Sequence, residues 1–81
     1  MMKTITIYLD SINKVKDFVN TITKFDTDFD LVSGRYVIDA KSIMGIFSLD
    51  LSKAIDLNVH EDSKEKQEKI LEELQPYLLP Q

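Results

Sequence analysis

Apolar and polar residues alternate with a period of two in two stretches of the chain. Isoleucine and leucine alternate with threonine and tyrosine over residues 4–9, and "AIDLNVH" repeats the pattern over residues 54–60. Because successive side chains of a strand point to opposite faces, this alternation predicts two half-buried strands. Between them, "FDLVS" and "GRYVIDA" have a strand-like composition, with Ser33 and Gly34 as the predicted hairpin turn.

A helical period predicts one helix after the first strand and another at the end of the chain. The first has an N-cap candidate in Asp10 or Ser11, and the last has one in Asp62 or Ser63. Pro76 is expected to kink or end the last helix, because proline cannot donate a backbone hydrogen bond. The apolar stripes consist of Ile12, Val15, Phe18, Val19, Ile22 and Phe25 in the first helix and of Ile70, Leu71, Leu74 and Leu78 in the last.

The segment from Ser42 to Leu51 predicts a further, short helix. Ile43, Ile46 and Phe47 are spaced so that they share one helical face. The predicted order of elements is therefore βαββαβα. Strands and helices mixed in this way, without repeated βαβ units, predict a single α+β domain over residues 1–81, with the helices on one face of the sheet.

Composition narrows the classes of function. The chain has 81 residues, a formal net charge of -4, no basic stripe and no cysteine. The charge argues against a nucleic-acid partner, and the lack of cysteine excludes disulfides and thiolate metal sites. No apolar run is long enough to span a membrane, and the N-terminus lacks a signal-peptide pattern. We therefore expect a cytoplasmic protein without a membrane partner.

The run "KSIMGIFSLDLSKAIDLNV" at residues 41–59 resembles HPr, the histidine-containing phosphocarrier of the bacterial sugar phosphotransferase system. That family carries Lys-Ser-Ile-Met-Gly followed by an apolar residue, a bulky residue, serine and leucine, which this chain matches from Lys41 to Leu49. The predicted element order agrees with the family over nearly the whole chain. The resemblance implies an open-faced β-sandwich of four antiparallel strands with three helices on one side.

A second hallmark of that family is missing. HPr proteins carry Gly-Ile-His-Ala-Arg-Pro at the entrance to the first helix, where the histidine accepts phosphate from Enzyme I. Here the matching region reads "DSINKVKDF", with no histidine, arginine or proline. Ser11 supplies the nearest hydroxyl, but a serine phosphate ester is a poor high-energy phosphoryl donor. We therefore expect a non-catalytic regulatory or docking protein that has lost the phosphotransfer relay and is not an enzyme.

Ser42 has two interpretations. As a residue before a helix, it serves as an ordinary N-cap. In HPr of low-GC Gram-positive bacteria, the matching serine is phosphorylated by HPr kinase/phosphorylase, and the resemblance implies the same regulatory site here. A phosphate at a helix N-terminus gains from the helix dipole, and Lys41 is expected to offset part of its charge. The implied partners are that kinase, proteins of the phosphotransferase system or catabolite-control proteins, and we expect no cofactor.

The apolar residues after Ser42 also have two interpretations. Ile43, Met44 and Phe47 either pack in the core or form the exposed patch with which HPr proteins dock on their partners. A short helix over a sheet turns only one face inward, which favours exposure of Met44 and Phe47 beside the first helix's N-terminus. Ile46, Leu49 and Leu51 are then the expected core residues of this region.

His60 is the only histidine, so it offers the main alternative. A phosphocarrier with a non-standard acceptor, either His60 or Ser11, would keep the activity that the missing motif removes. In the antiparallel sheet that the resemblance implies, the end of the last strand lies at the opposite end from the first helix's N-terminus, so we expect His60 to be a solvated strand-end residue. "DTDFD", residues 26–30, begins like a calcium loop but lacks its later glycine and glutamate, so we expect no metal site. A folded domain of unrelated role is the third possibility.

Overall fold

A computed structural model describes residues 2–79, with only the backbone of Met2. It contains four strands, β1 (Met2–Ile7), β2 (Asp28–Ser33), β3 (Tyr36–Asp39) and β4 (Ile55–His60). Three α-helices are interspersed with them, α1 (Ile12–Ile22), α2 (Ile43–Phe47) and α3 (Lys64–Glu73), and a single 3-10 turn follows at Gln75–Tyr77. This order confirms the predicted βαββαβα arrangement. No helix among the described residues is long and apolar enough to cross a membrane.

All neighbouring strands are antiparallel, in the order β1-β4-β2-β3. Ile7 pairs with Ile55 at one end of the sheet, and Met2 pairs with His60 at the other. Because α1 follows Ile7 and α2 precedes Ile55, the start of α1 and the chain leaving α2 lie at the same end of the sheet. His60 lies at the opposite end.

The core lies between one face of the sheet and the helices. Alternate residues of the central strands are buried, and the helices cover them with one apolar face each, which confirms the predicted open-faced sandwich. The threonines of β1 on the other face remain exposed. The largest fully buried side chains are Ile7, Leu9, Val15, Phe18, Ile22, Phe29, Leu31, Ile46, Ile55, Leu57, Ile70 and Leu74.

Each α-helix begins at a serine whose hydroxyl accepts a hydrogen bond from the backbone N–H three residues later. The distances are 3.1 Å from Ser11 to Lys14, 3.2 Å from Ser42 to Gly45 and 3.4 Å from Ser63 to Lys66. These bonds satisfy amide groups that have no partner within the helix. Of the two cap candidates at each of the first and last helices, the serine is therefore the N-cap.

The short helix ends earlier than the sequence predicts. α2 has five residues and stops at Phe47, whereas the apolar pattern extends it to Leu51. Asp50 accepts hydrogen bonds from the backbone N–H (3.1 Å) and hydroxyl (2.5 Å) of Ser52, which favours a turn over a helix. Leu49 and Leu51 are consequently half-buried against the core, while Ile46 is fully buried as predicted.

The other boundaries differ only slightly from the predictions. The hairpin turn lies at residues 34–35, one residue later than expected, with Gly34 at φ +60°, which favours glycine. Pro76 lies in the 3-10 turn that ends α3. The ring of Tyr77 in that turn meets Phe18 edge-on, with 5.6 Å between the ring centroids. This contact ties the C-terminal segment to the core.

Candidate functional site

Ser42 is exposed at the start of α2. Its hydroxyl oxygen accepts from the Gly45 N–H, its carbonyl accepts from Ile46 N–H at 3.0 Å, and its own N–H donates to the Asp39 carbonyl at 3.0 Å. The backbone is thus held on both sides, while the residue itself is exposed. This geometry makes Ser42 a functioning N-cap and leaves it accessible to an enzyme.

Gly45 leaves room for the hydroxyl of Ser42. A Cβ at position 45 would lie 3.3 Å from the Ser42 Oγ and 3.3 Å from the Ile38 Cδ1. Both approaches are closer than most carbon contacts, so any larger residue requires its neighbours to move. The glycine within this otherwise bulky run therefore lets α2 pack closely against both its cap and β3.

The side chain of Lys41 is engaged by residues outside the α2 segment. Its ammonium donates to the Phe25 carbonyl at 2.7 Å and lies 5.7 Å from the centre of the Phe29 ring. These contacts hold the charge against the core side of the sheet. Compensation of a phosphate at Ser42 by Lys41 would require breaking these contacts, and the expectation that Lys41 offsets such a charge stays a prediction.

The three residues of the predicted docking patch differ in exposure. Met44 is 77% exposed and Phe47 is 40% exposed, as the sequence predicts. Ile43 is half-buried and packs against the core, so it presents less surface than they do. The exposed apolar surface of α2 therefore consists mainly of Met44 and Phe47.

Ile12 adds an exposed apolar residue that the sequence assigned to the core stripe. It is 62% exposed at the first position of α1, and α1 packs against α2. A residue in the first turn lies at the end of the helix, where its side chain covers the region before the helix rather than the sheet. The position of Ile12 immediately after the N-cap was the sequence signal for this exposure. Val15, Phe18 and Ile22 are buried as predicted.

The start of α1 contains no histidine. Ser11 is engaged as the N-cap, and Lys14 forms an exposed ion pair with Asp10 at 3.4 Å. His60 lies at the other end of the sheet, where its Nε2 is 2.6 Å from Asp30 Oδ2. The structure therefore does not bring the only histidine to the first helix.

The acidic stretch after α1 forms no calcium loop. Asp28 and Asp30 belong to β2, and Asp26 is exposed in the turn before it. Among residues 2–79, no three histidine, cysteine or acidic side chains are grouped closely enough to hold a metal ion.

A polar contact between distant segments was not predicted. The hydroxyl of the buried Thr27 donates to Glu61 Oε1 at 2.6 Å, and the Ser63 N–H donates to Oε2 at 3.1 Å. These hydrogen bonds, with a smaller contribution from Lys66, lower the pKa of the Glu61 carboxyl. No local pattern marks this contact, because it joins residues 34 positions apart.

Residues 13–78 match a family model described as the phosphorylation site of the HPr component of the phosphotransferase system. This match spans well over half of the chain. The chain belongs to the HPr family. The proteins of this family are phosphocarriers, which act by contact with other proteins of the system rather than as catalysts. This membership confirms the resemblance carried by residues 41–59.

Solved HPr structures have the same fold. A crystal structure of HPr-C-His from Thermoanaerobacter tengcongensis is 30% identical, with a TM-score of 0.70 and 89% of each chain covered. The phosphocarrier protein HPr from Bacillus anthracis str. Ames is 27% identical, with a TM-score of 0.69, covering 98% of this chain and 96% of its own. Comparison with curated protein sequences gives no match.

Proposed function

We propose that this HPr-family chain is a regulatory or docking protein that has lost histidine phosphotransfer, binds its partners through α2 and is switched by phosphorylation of Ser42. The observation that carries the proposal is the start of α1, where a serine N-cap occupies the region of the family's phosphoacceptor motif. A phosphohistidine there requires an imidazole beside the free N–H groups of the helix start. The family match itself begins only at Asn13.

The loss of the relay is tested with Enzyme I and phosphoenolpyruvate. We expect no phosphoryl group on this chain by intact-mass measurement at neutral pH, under conditions in which a histidine-bearing HPr is fully phosphorylated. The histidine-bearing protein is the positive control for the enzyme. An acid-labile phosphoryl group on this chain would contradict the proposal.

The second candidate is a phosphocarrier that uses His60. The contact between His60 Nε2 and Asp30 Oδ2 favours it, because a carboxylate that orients an imidazole is a common feature of reactive histidines. His60 lies at a strand end, however, without the helix N–H groups that hold a phosphate. In the same assay, a phosphoryl group lost in His60→Ala but retained in Ser11→Ala would establish this alternative.

Phosphorylation of Ser42 would act on the docking surface by charge. The phosphate would add about two negative charges two residues before Met44 and five residues, roughly 1.4 helical turns, before Phe47. Asp39, whose carboxylate accepts from the Lys41 N–H at 2.9 Å, already places negative charge near this turn. Since the ammonium of Lys41 is engaged elsewhere, the modification would make the surface markedly more acidic. A partner with a basic rim would then bind more tightly, and an acidic partner more weakly.

We propose Met44 and Phe47, with part of Ile43 and with Ile12 on the neighbouring helix, as the docking surface. Methionine and aromatic side chains suit surfaces that adapt to a partner, and large exposed apolar residues at one end of a small domain commonly mark such surfaces. The expected partners are HPr kinase/phosphorylase, other proteins of the phosphotransferase system or catabolite-control proteins, all in the bacterial cytoplasm.

A further inference from the structure

A cleft of about 390 Å³ lies between the β2–β3 hairpin and the segment that connects α2 to β4. This volume lies within the usual range of small-molecule sites. Ser33 to Tyr36 form one wall of the cleft, and Ser48 with Leu49, immediately after α2, contribute to the other. The tight turn formed by Gly34 and Arg35 places Ser33 opposite Tyr36.

The two carboxylates in the lining already have partners within the protein. Asp50 accepts from the Ser52 hydroxyl and N–H, and its second oxygen lies 3.9 Å from the Lys53 ammonium. The bonds from Ser52 lower the pKa of Asp50, so this group stays ionised at neutral pH. Asp56 accepts from the Thr6 hydroxyl at 3.3 Å. Neither acid therefore depends on a ligand for its hydrogen bonds.

Arg35 has no hydrogen bond or ion pair with any residue between positions 2 and 79, and neither has the Ser33 hydroxyl. A guanidinium presents a planar fork of donors that matches the two oxygens of a carboxylate. Residues with apolar side-chain surface are part of the same lining, because Val32, Leu49 and Tyr36 also line the cleft. The cleft thus combines an unused cation and a hydroxyl with an apolar wall.

We propose that this cleft binds a small molecule with one carboxylate next to an apolar group, the carboxylate on Arg35 and the apolar part against Leu49 and Tyr36. The charges of the lining favour a monoanion. Arg35 and Lys53 balance Asp50 and Asp56, so a carboxylate leaves one excess negative charge whereas a phosphate dianion leaves two beside the aspartates. The site is independent of both Ser42 and the relay.

The test is a titration of the ¹⁵N-labelled protein with N-acetyl-L-phenylalanine, followed by amide chemical shifts. We expect saturable shifts at residues 33–36 and 48–54. N-acetyl-L-phenylalaninamide, which lacks the carboxylate, and inorganic phosphate are each expected to bind more weakly. Raising the salt concentration should also weaken binding of the acid, because the contact with Arg35 is ionic and partly exposed.

Two variants that each remove one positive charge distinguish a specific site at Arg35 from non-specific electrostatic attraction of the ligand to the protein. Arg35→Gln should weaken binding about ten-fold or more, since it removes a charge-assisted pair and keeps most of the side-chain stem. Lys16→Gln, on the exposed face of α1, should change affinity less than two-fold. The amide spectra report whether each variant is folded. The proposal is overturned by the absence of saturable shifts at these residues, by equal effects of both variants or by tighter binding of phosphate.

Discussion

The first two helices begin with the same local structure and differ in what surrounds it. The hydroxyls of Ser11 and Ser42 accept from the N–H three residues later at 3.1 and 3.2 Å. Their carbonyls accept from the N–H of the fourth residue at 3.1 and 3.0 Å, and that residue, Val15 or Ile46, is fully buried. At the level of capping, the two serines are therefore equivalent.

The surroundings separate them. An exposed ion pair between Asp10 and Lys14 spans the start of α1. At α2, by contrast, a Cβ at Gly45 would crowd the Ser42 Oγ and the Ile38 Cδ1 at 3.3 Å each, and exposed Met44 lies two residues after the cap. A serine at the start of a helix therefore indicates an N-cap and does not by itself indicate a regulatory site. Exposed apolar residues follow both caps, because Ile12 comes directly after Ser11. The close approach of Gly45 and the match of residues 41–49 to the HPr run are therefore what single out Ser42 as the candidate for regulation.

The largest expected effect separates the two faces of α2. Ile46→Ala should lower the free energy of unfolding by about 2–5 kcal/mol, because it leaves a cavity in the core. Met44→Ala, as the matched exposed position, should cost less than about 0.5 kcal/mol, and Phe47→Ala should fall between them. Urea denaturation measures all three. A cost for Met44→Ala equal to that of Ile46→Ala would mean that Met44 is a core residue and not a docking residue.

The equivalence of the two caps predicts a smaller, matched pair of effects. Ser11→Ala and Ser42→Ala should each lower the free energy of unfolding by about 0.5–2 kcal/mol, since each leaves a helix N–H without its partner. Ser11→Asp and Ser42→Asp retain an acceptor and should remain close to the wild type. If Ser11→Ala lowers the free energy of unfolding and Ser42→Ala does not, the cap does not stabilise the short helix and the two serines are not equivalent.

The start of α3 involves an ionisable residue, Glu61, so its contribution to the free energy of unfolding should depend on pH. We expect this effect to be the smallest of the three. Glu61 bonds to Ser63 at this cap, and its pKa is lowered chiefly by the hydroxyl of Thr27. Its contribution to stability is present above the ordinary pKa of glutamate and is lost as the pH falls through the lower pKa of the folded state. The wild type should therefore lose more stability on acidification than Thr27→Val, measured by urea denaturation at neutral and acidic pH. Equal losses would show that this hydrogen bond is not coupled to folding.

The sequence predicts the elements well because the strand alternation, the serine caps and the helical stripes are local patterns. It predicts less well where tertiary contacts decide. The apolar stripe does not reveal that Asp50 and Ser52 form a turn that ends α2 early. The helical period assigns Ile12 to the apolar face of α1. It does not show that the first residue of this helix lies outside the core. The direction of Lys41 depends on Phe25 and Phe29, which are distant in sequence.

The most direct test of regulation at Ser42 is incubation with HPr kinase and ATP, followed by mapping of the modified residue by mass spectrometry. Ser11, Ser42 and Ser63 share one capping geometry, so the protein contains its own controls. Ser42→Ala and an HPr protein that the kinase accepts complete the experiment. A phospho-switch at Ser42 predicts one phosphate, on Ser42, and none on Ser11 or Ser63. An unmodified Ser42, with the positive control fully phosphorylated, or a phosphate on Ser11 would contradict it.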